Sequence, residues 1–110
     1  MPDKRSVKSS MMEEKSVEIE LVGFPILYDF LKTDCIRHIF SGRTLEDLIE
    51  DLFHNYGEKI KETFWDRRID RLDPTIQVMI NGKFVKASDP QSVEISKDDH
   101  VTFFRLLAGG

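Results

Sequence analysis

Few side chains in this sequence could do chemistry, and they are scattered. Cys35 is the single cysteine, and the histidines are His38, His54 and His100. The histidines fall on a predicted strand, helix and turn with no ligand spacing, so no metal site is expected. Cys35 has no histidine or helix N-terminus arranged to lower its pKa, and a lone cysteine in a strand reads as packing. Glu46-Asp47 and Glu50-Asp51 read as the solvent face of a helix, and Asp98-Asp99 as a turn. What is left is the chain end, Ala108-Gly109-Gly110, directly behind the apolar run Val101–Leu107. Glycine packs no side chain and costs backbone entropy, so it suits places where bare backbone must pass through a narrow space. Two readings stand side by side: a terminal carboxylate that is itself the reactive group, or an ordinary frayed end.

The bulk properties narrow the classes. At 110 residues the chain is expected to be one domain with a modest core and no room for a large substrate cavity, which disfavours a self-contained enzyme. A net charge of -4 argues against nonspecific nucleic-acid binding, which needs phosphate-neutralising Lys and Arg. No apolar run approaches a membrane span, and the first thirty residues lack the apolar core of a signal peptide. A single cysteine excludes an internal disulfide framework and favours a reducing compartment, so the expected location is cytoplasmic.

The elements that must position the end follow from patterning. Residues 1–16 are rich in Lys, Ser and Glu and read as a flexible N-terminal tail. Val17-Glu18-Ile19-Glu20-Leu21 alternates as a half-buried strand, interrupted by Gly23 and Pro25. Cys35–Phe40 reads as a second strand, and Ser41-Gly42-Arg43 as a turn. Thr44 and Asp47 form a capping-box pattern ahead of Leu45, Leu48, Ile49, Leu52, Phe53 and Tyr56, a stripe at the helical period that Gly57 ends. Ile60, Phe64 and Trp65 suggest a shorter helix or turn. Asp66–Pro74 reads as a charged connection. Thr75–Ile80, the Asn81-Gly82 hairpin signal and Phe84-Val85 form the next pair of strands. Ser92–Ile95 is a short extended piece or turn, and the last strand runs from Val101 to Leu106.

One long helix laid across a mixed sheet gives two layers around one core. The expected class is α+β, a β-grasp (ubiquitin-like) domain over residues 17–107 with a flexible diglycine tail at 108–110. Ile19, Leu21, Ile76, Val78, Ile80, Val101 and Phe103 are the sheet's core candidates.

On these residues the sequence resembles the ubiquitin-like sulfur-carrier family, which includes the molybdopterin synthase small subunit, the thiamine sulfur carrier and the ubiquitin-related modifiers. The matching segments are Val17–Leu21, Thr44-Leu45-Glu46-Asp47-Leu48, Val78–Gly82, and Asp98–Phe104 leading into Ala108-Gly109-Gly110. The proline pair typical of molybdopterin synthase small subunits is replaced by Arg105-Leu106. The resemblance implies a carrier rather than an enzyme, with Gly110, preceded by Gly109, as the residue whose carboxylate is adenylated and converted to a thiocarboxylate. It implies a ubiquitin-activating-type adenylyltransferase that supplies ATP, and a sulfur donor such as a cysteine desulfurase or rhodanese-like protein. A larger catalytic subunit or acceptor enzyme would take the sulfur for molybdenum cofactor biosynthesis. No cofactor bound by the chain itself, no nucleic acid and no membrane are expected. Thiamine, tungsten-cofactor, amino-acid-biosynthetic and tRNA-thiolation pathways stay open, as does a modifier joined to lysine through Gly110. Phe104, Arg105, Leu106, Leu107 and Ala108 are the expected docking residues. The alternative for Phe104, Leu106 and Leu107 is simple core or sheet cover, and Arg105 could meet an acidic partner residue or sit solvated.

Overall fold

A computed structural model describes residues 14–105; the tail reading for residues 1–13 lies outside them. The first strand, β1, spans Lys15–Val22 and buries Val17, Ile19 and Leu21. It starts two residues before the alternation predicts. Lys15 pairs with Phe40, lies over that ring at 5.6 Å and donates to the Ile95 carbonyl at 3.3 Å, so pairing and side-chain contacts override its polarity.

A helix that the sequence pattern does not signal follows: α1, Pro25–Leu31. Pro25, read as an interruption, is instead the start signal, because a proline in the first turn loses no helical hydrogen bond. Lys32 closes the helix in the left-handed conformation and its N–H donates to the Tyr28 carbonyl at 2.7 Å. Leu27 anchors α1 in the core.

Strand β2, Cys35–Phe40, returns antiparallel to β1. Helix α2, Leu45–Tyr56, has the full capping box: Thr44 Oγ1 accepts from the Asp47 N–H at 3.2 Å, and Asp47 Oδ2 accepts from the Thr44 N–H at 3.1 Å. A third donor, the Arg43 N–H at 2.9 Å, also reaches Asp47 and contributes most to holding its carboxyl below the usual carboxylate range. Helix α3, Glu58–Phe64, follows Gly57 and buries Ile60 and Phe64. The expected single main helix is therefore joined by two short ones.

The charged connection holds a small hairpin of β3, Trp65–Asp66, and β4, Arg71–Leu72. Strand β5, Ile76–Ile80, turns through Asn81-Gly82, both at positive φ as a tight hairpin demands, into β6, Lys83–Phe84. The return thus begins at Lys83, one residue before the expected Phe84-Val85. A 3-10 turn at Pro90–Ser92 precedes the last strand, β7, His100–Arg105.

The main sheet has the order β2-β1-β7-β5-β6. Strand β7 lies at its centre, parallel to β1 and antiparallel to β5, which is the β-grasp arrangement. Every predicted sheet core residue is buried except Ile80, which is half-buried near the hairpin. Phe64 joins helices to sheet, its ring 5.2 Å from Phe24 and 5.0 Å from Phe103. No helix among the described residues is long and apolar enough to cross a membrane.

Candidate functional site

The candidate site is the end of β7 and what surrounds it. Strand alternation sends Val101 and Phe103 inward and His100, Thr102 and Phe104 to the outer sheet face. Leu106, Leu107, Ala108, Gly109 and Gly110 lie outside the described residues. Phe104 is half-buried and pairs in register with Val22, while its ring lies 5.8 Å from Phe84. Phe84 is 65% exposed and Val22 is 45% exposed. Phe104 therefore serves as neither core nor isolated surface residue; it is the middle of an apolar strip on the outer face. Phe84 carried no signal of this in the sequence, because a two-residue strand has no pattern to read.

Beside the strip is an ionic cluster. His100 Nε2 lies 2.8 Å from Glu20 and Nδ1 lies 3.2 Å from Glu18, and Arg37 pairs with Glu18 at 3.0 Å. A neutral imidazole has one N–H, so two carboxylate contacts call for the protonated ring. The hydrogen bond to Glu20, followed by that to Glu18, accordingly raises the His100 pKa above its ordinary value.

Arg105, the last described residue, neither sits solvated nor reaches outward. Its Nη2 donates to the Thr63 carbonyl at 2.8 Å, stands 3.5 Å from Asp73, and its guanidinium lies 5.2 Å from the centre of the Phe24 ring. Gly23 passes beside it at φ 86°, where an added Cβ would lie 3.0 Å from the Arg105 carbonyl oxygen.

The other sequence candidates do not converge here. Cys35 is exposed at the start of β2 rather than packed inside, since it shares the outer face with Glu20, its register partner. Partial desolvation, then Glu18, Glu20 and Asp34, raise its thiol pKa, which is the opposite of an activated nucleophile. His38 is buried on β2 against Asp51 of α2, a link between layers. No three His, Cys, Asp or Glu side chains are grouped to hold a metal among the described residues. A cleft of about 630 Å³ lies between α2, the β3–β4 hairpin and residues 85–91. Its floor is Ile49, Trp65, Leu72 and Ile76, and it gathers no nucleophile with a base.

The sequence profile of the ThiS family matches residues 28–110. No curated protein sequence matches the chain. Among solved structures, SAMP1 from Haloferax volcanii is similar at TM-score 0.67 and 20% identity, covering 86% of this chain and 99% of that one. The small archaeal modifier protein 1 of Methanosarcina acetivorans has TM-score 0.66, 18% identity and coverages of 89% and 99%. Urm1 from Trypanosoma brucei has TM-score 0.64, 20% identity and coverages of 89% and 98%. These structures share the β-grasp fold, and the profile spans most of the sequence including its diglycine end. The chain belongs to the ThiS family of ubiquitin-like sulfur carriers.

Proposed function

We propose that this protein carries sulfur on the carboxyl group of Gly110, in the manner of a molybdopterin synthase small subunit. A ubiquitin-activating-type adenylyltransferase brings ATP. A carboxylate oxygen of Gly110 attacks the α-phosphorus, pyrophosphate leaves, and an acyl-adenylate forms. The terminal sulfur of a persulfide on the donor protein then attacks the acyl carbon and AMP leaves. A thiol on the partner cleaves the resulting acyl disulfide, becomes disulfide-bonded to the donor sulfur, and frees the thiocarboxylate. An acceptor enzyme takes that sulfur into a cofactor.

The observation that carries this reading is the diglycine, which in sequence follows the last residue of the central strand, Arg105, after only Leu106-Leu107-Ala108, in a ThiS-family chain with a β-grasp domain. The α-carboxyl, with an ordinary pKa near ~3.5, is ionised and nucleophilic at neutral pH. In this reading the adenylyltransferase supplies the metal and the oxyanion stabilisation that ATP chemistry needs. The strip of Val22, Phe104 and Phe84 supports a docking role on the outer face, with an apolar centre and the Glu18–His100–Glu20 cluster as its polar rim. Leu106, Leu107 and Ala108 complete the path to the glycines.

The test is ATP–pyrophosphate exchange with the adenylyltransferase of the same cell. Wild type supports exchange, and Gly110→Ala lowers it at least about tenfold with unchanged Tm, because the channel closes on bare backbone. Equal exchange by the variant contradicts the proposal.

A second reading is favoured by the modifier proteins that share the fold: the same adenylate passes to a lysine amine and forms an isopeptide bond. Conjugates on other proteins that vanish on deletion of Gly109-Gly110 would support it.

A further inference from the structure

We infer that Arg105 is a positioning residue: its side chain fixes the direction in which residues 106–110 leave the domain, and so the approach of the Gly110 carboxyl to its partner. This rests on the carrier reading above. The geometry comes from four segments that meet at one residue. On one side, β1 pairing ends at Val22–Phe104, so Arg105 has no ladder partner there; on the other it is the end of the register with Ile76 of β5. A strand end so placed would fray. The side chain holds it instead.

Three contacts do this. The Thr63 carbonyl is in the last turn of α3, where carbonyls lack intrahelical donors and cations are favoured, and it receives Nη2 at 2.8 Å. Asp73, in the connection from β4 to β5, supplies the opposite charge at 3.5 Å. Phe24, between β1 and α1, supplies a ring face at 5.2 Å. A guanidinium can donate in its plane while its face lies on a ring, and a lysine ammonium cannot do both. Gly23 completes the seat, because a Cβ at that position would lie only 3.0 Å from the Arg105 carbonyl oxygen, and its φ of 86° suits glycine.

The consequence is quantitative. Extended, the five residues Leu106–Gly110 reach at most about 17 Å. The root therefore decides which part of a partner's surface the carboxyl can meet. An anchored root also has less freedom to lose when the tail is threaded, so the anchor acts on binding rather than on the chemical step. Losing it raises KM for this protein as substrate and leaves kcat alone.

The experiment measures adenylation kinetics and Tm for the full chain as wild type, Arg105→Ala, Arg105→Lys, Phe24→Leu, Asp73→Asn and the Arg105→Ala/Phe24→Leu double variant. Arg105→Ala is expected to raise KM about fivefold with kcat changed less than about twofold. Asp73→Asn and Phe24→Leu, which leave the Arg105 charge in place, raise KM in the same direction. The double variant is no worse than Arg105→Ala alone, since both act through one anchor. If Phe24→Leu and Asp73→Asn leave KM unchanged while Arg105→Ala raises it, Arg105 meets the partner directly and the proposal is overturned. An unchanged KM for Arg105→Ala overturns it too. Should wild type itself fail to be adenylated, the carrier reading fails separately, and amide order parameters at Leu106 and Leu107 decide. Lower order in Arg105→Ala and in Asp73→Asn supports the anchor; values equal to wild type overturn it.

Discussion

Register sets the chemistry of single side chains on the outer sheet face. His100 stands between Glu18 and Glu20 because β7 runs parallel to β1, and Arg37 arrives beside Glu18 from the antiparallel β2. The raised pKa of His100 has a definite linkage sign. The folded state binds the proton more tightly than the unfolded state, whose value is about 6.5, so the stabilisation is complete below that value. It is lost as pH rises through the folded pKa. The expected outcome is that wild type exceeds His100→Gln in Tm by more at about pH 5.5 than at about pH 8.5. Equal differences at the two pH values would mean that folding leaves the affinity of the ring for its proton unchanged, contrary to the two carboxylate contacts. Arg105 makes a related point about legibility. Its sequence neighbours left open whether it is solvated or meets a partner, because Thr63 and Asp73 are 42 and 32 residues away and nothing local signals them.

At the scale of elements, α2 was legible and α1 was not. Helix α2 has three turns of periodic apolar residues and a cap, so two independent signals agree over residues 44–57. Helix α1 has seven residues, too few to establish a period, and its Ile26, Tyr28 and Phe30 are exposed, which blurs the stripe. The same contrast gives two expectations. Asp47→Ala removes an acceptor for two N–H groups and should cost roughly 1–2 kcal/mol by denaturant unfolding. Its lowered pKa adds a sign: that stability is present above the usual carboxylate value and is lost as pH falls through the folded one. Leu27→Ala, fully buried under α1, should cost about 2–5 kcal/mol, whereas Tyr28→Ala on the exposed side should stay within about 0.5 kcal/mol. Similar costs for the two would mean that α1 is not docked by Leu27.

The whole molecule separates two tasks by face. The inner sheet face and the helices build the core around Phe64, and the outer face is left to present Val22, Phe104 and Phe84 next to the root of the tail. The diglycine was legible because it is covalent sequence. The strip was not, because it joins residues from β1, β6 and β7 that only the sheet order brings together. Phe84→Asp should therefore weaken binding of the activating partner at least about tenfold, measured by titration calorimetry, with little change in Tm, since the side chain is mostly in water already. Undiminished binding would place the docking surface elsewhere.

The central claim is that Gly110 becomes a thiocarboxylate, and intact mass spectrometry reads it directly. Incubated with ATP, a persulfide donor and the adenylyltransferase of the same cell, the protein should gain the mass of one sulfur less one oxygen. Deletion of Gly110 should abolish the gain. No gain, with an adenylyltransferase shown to be active, would contradict the carrier account.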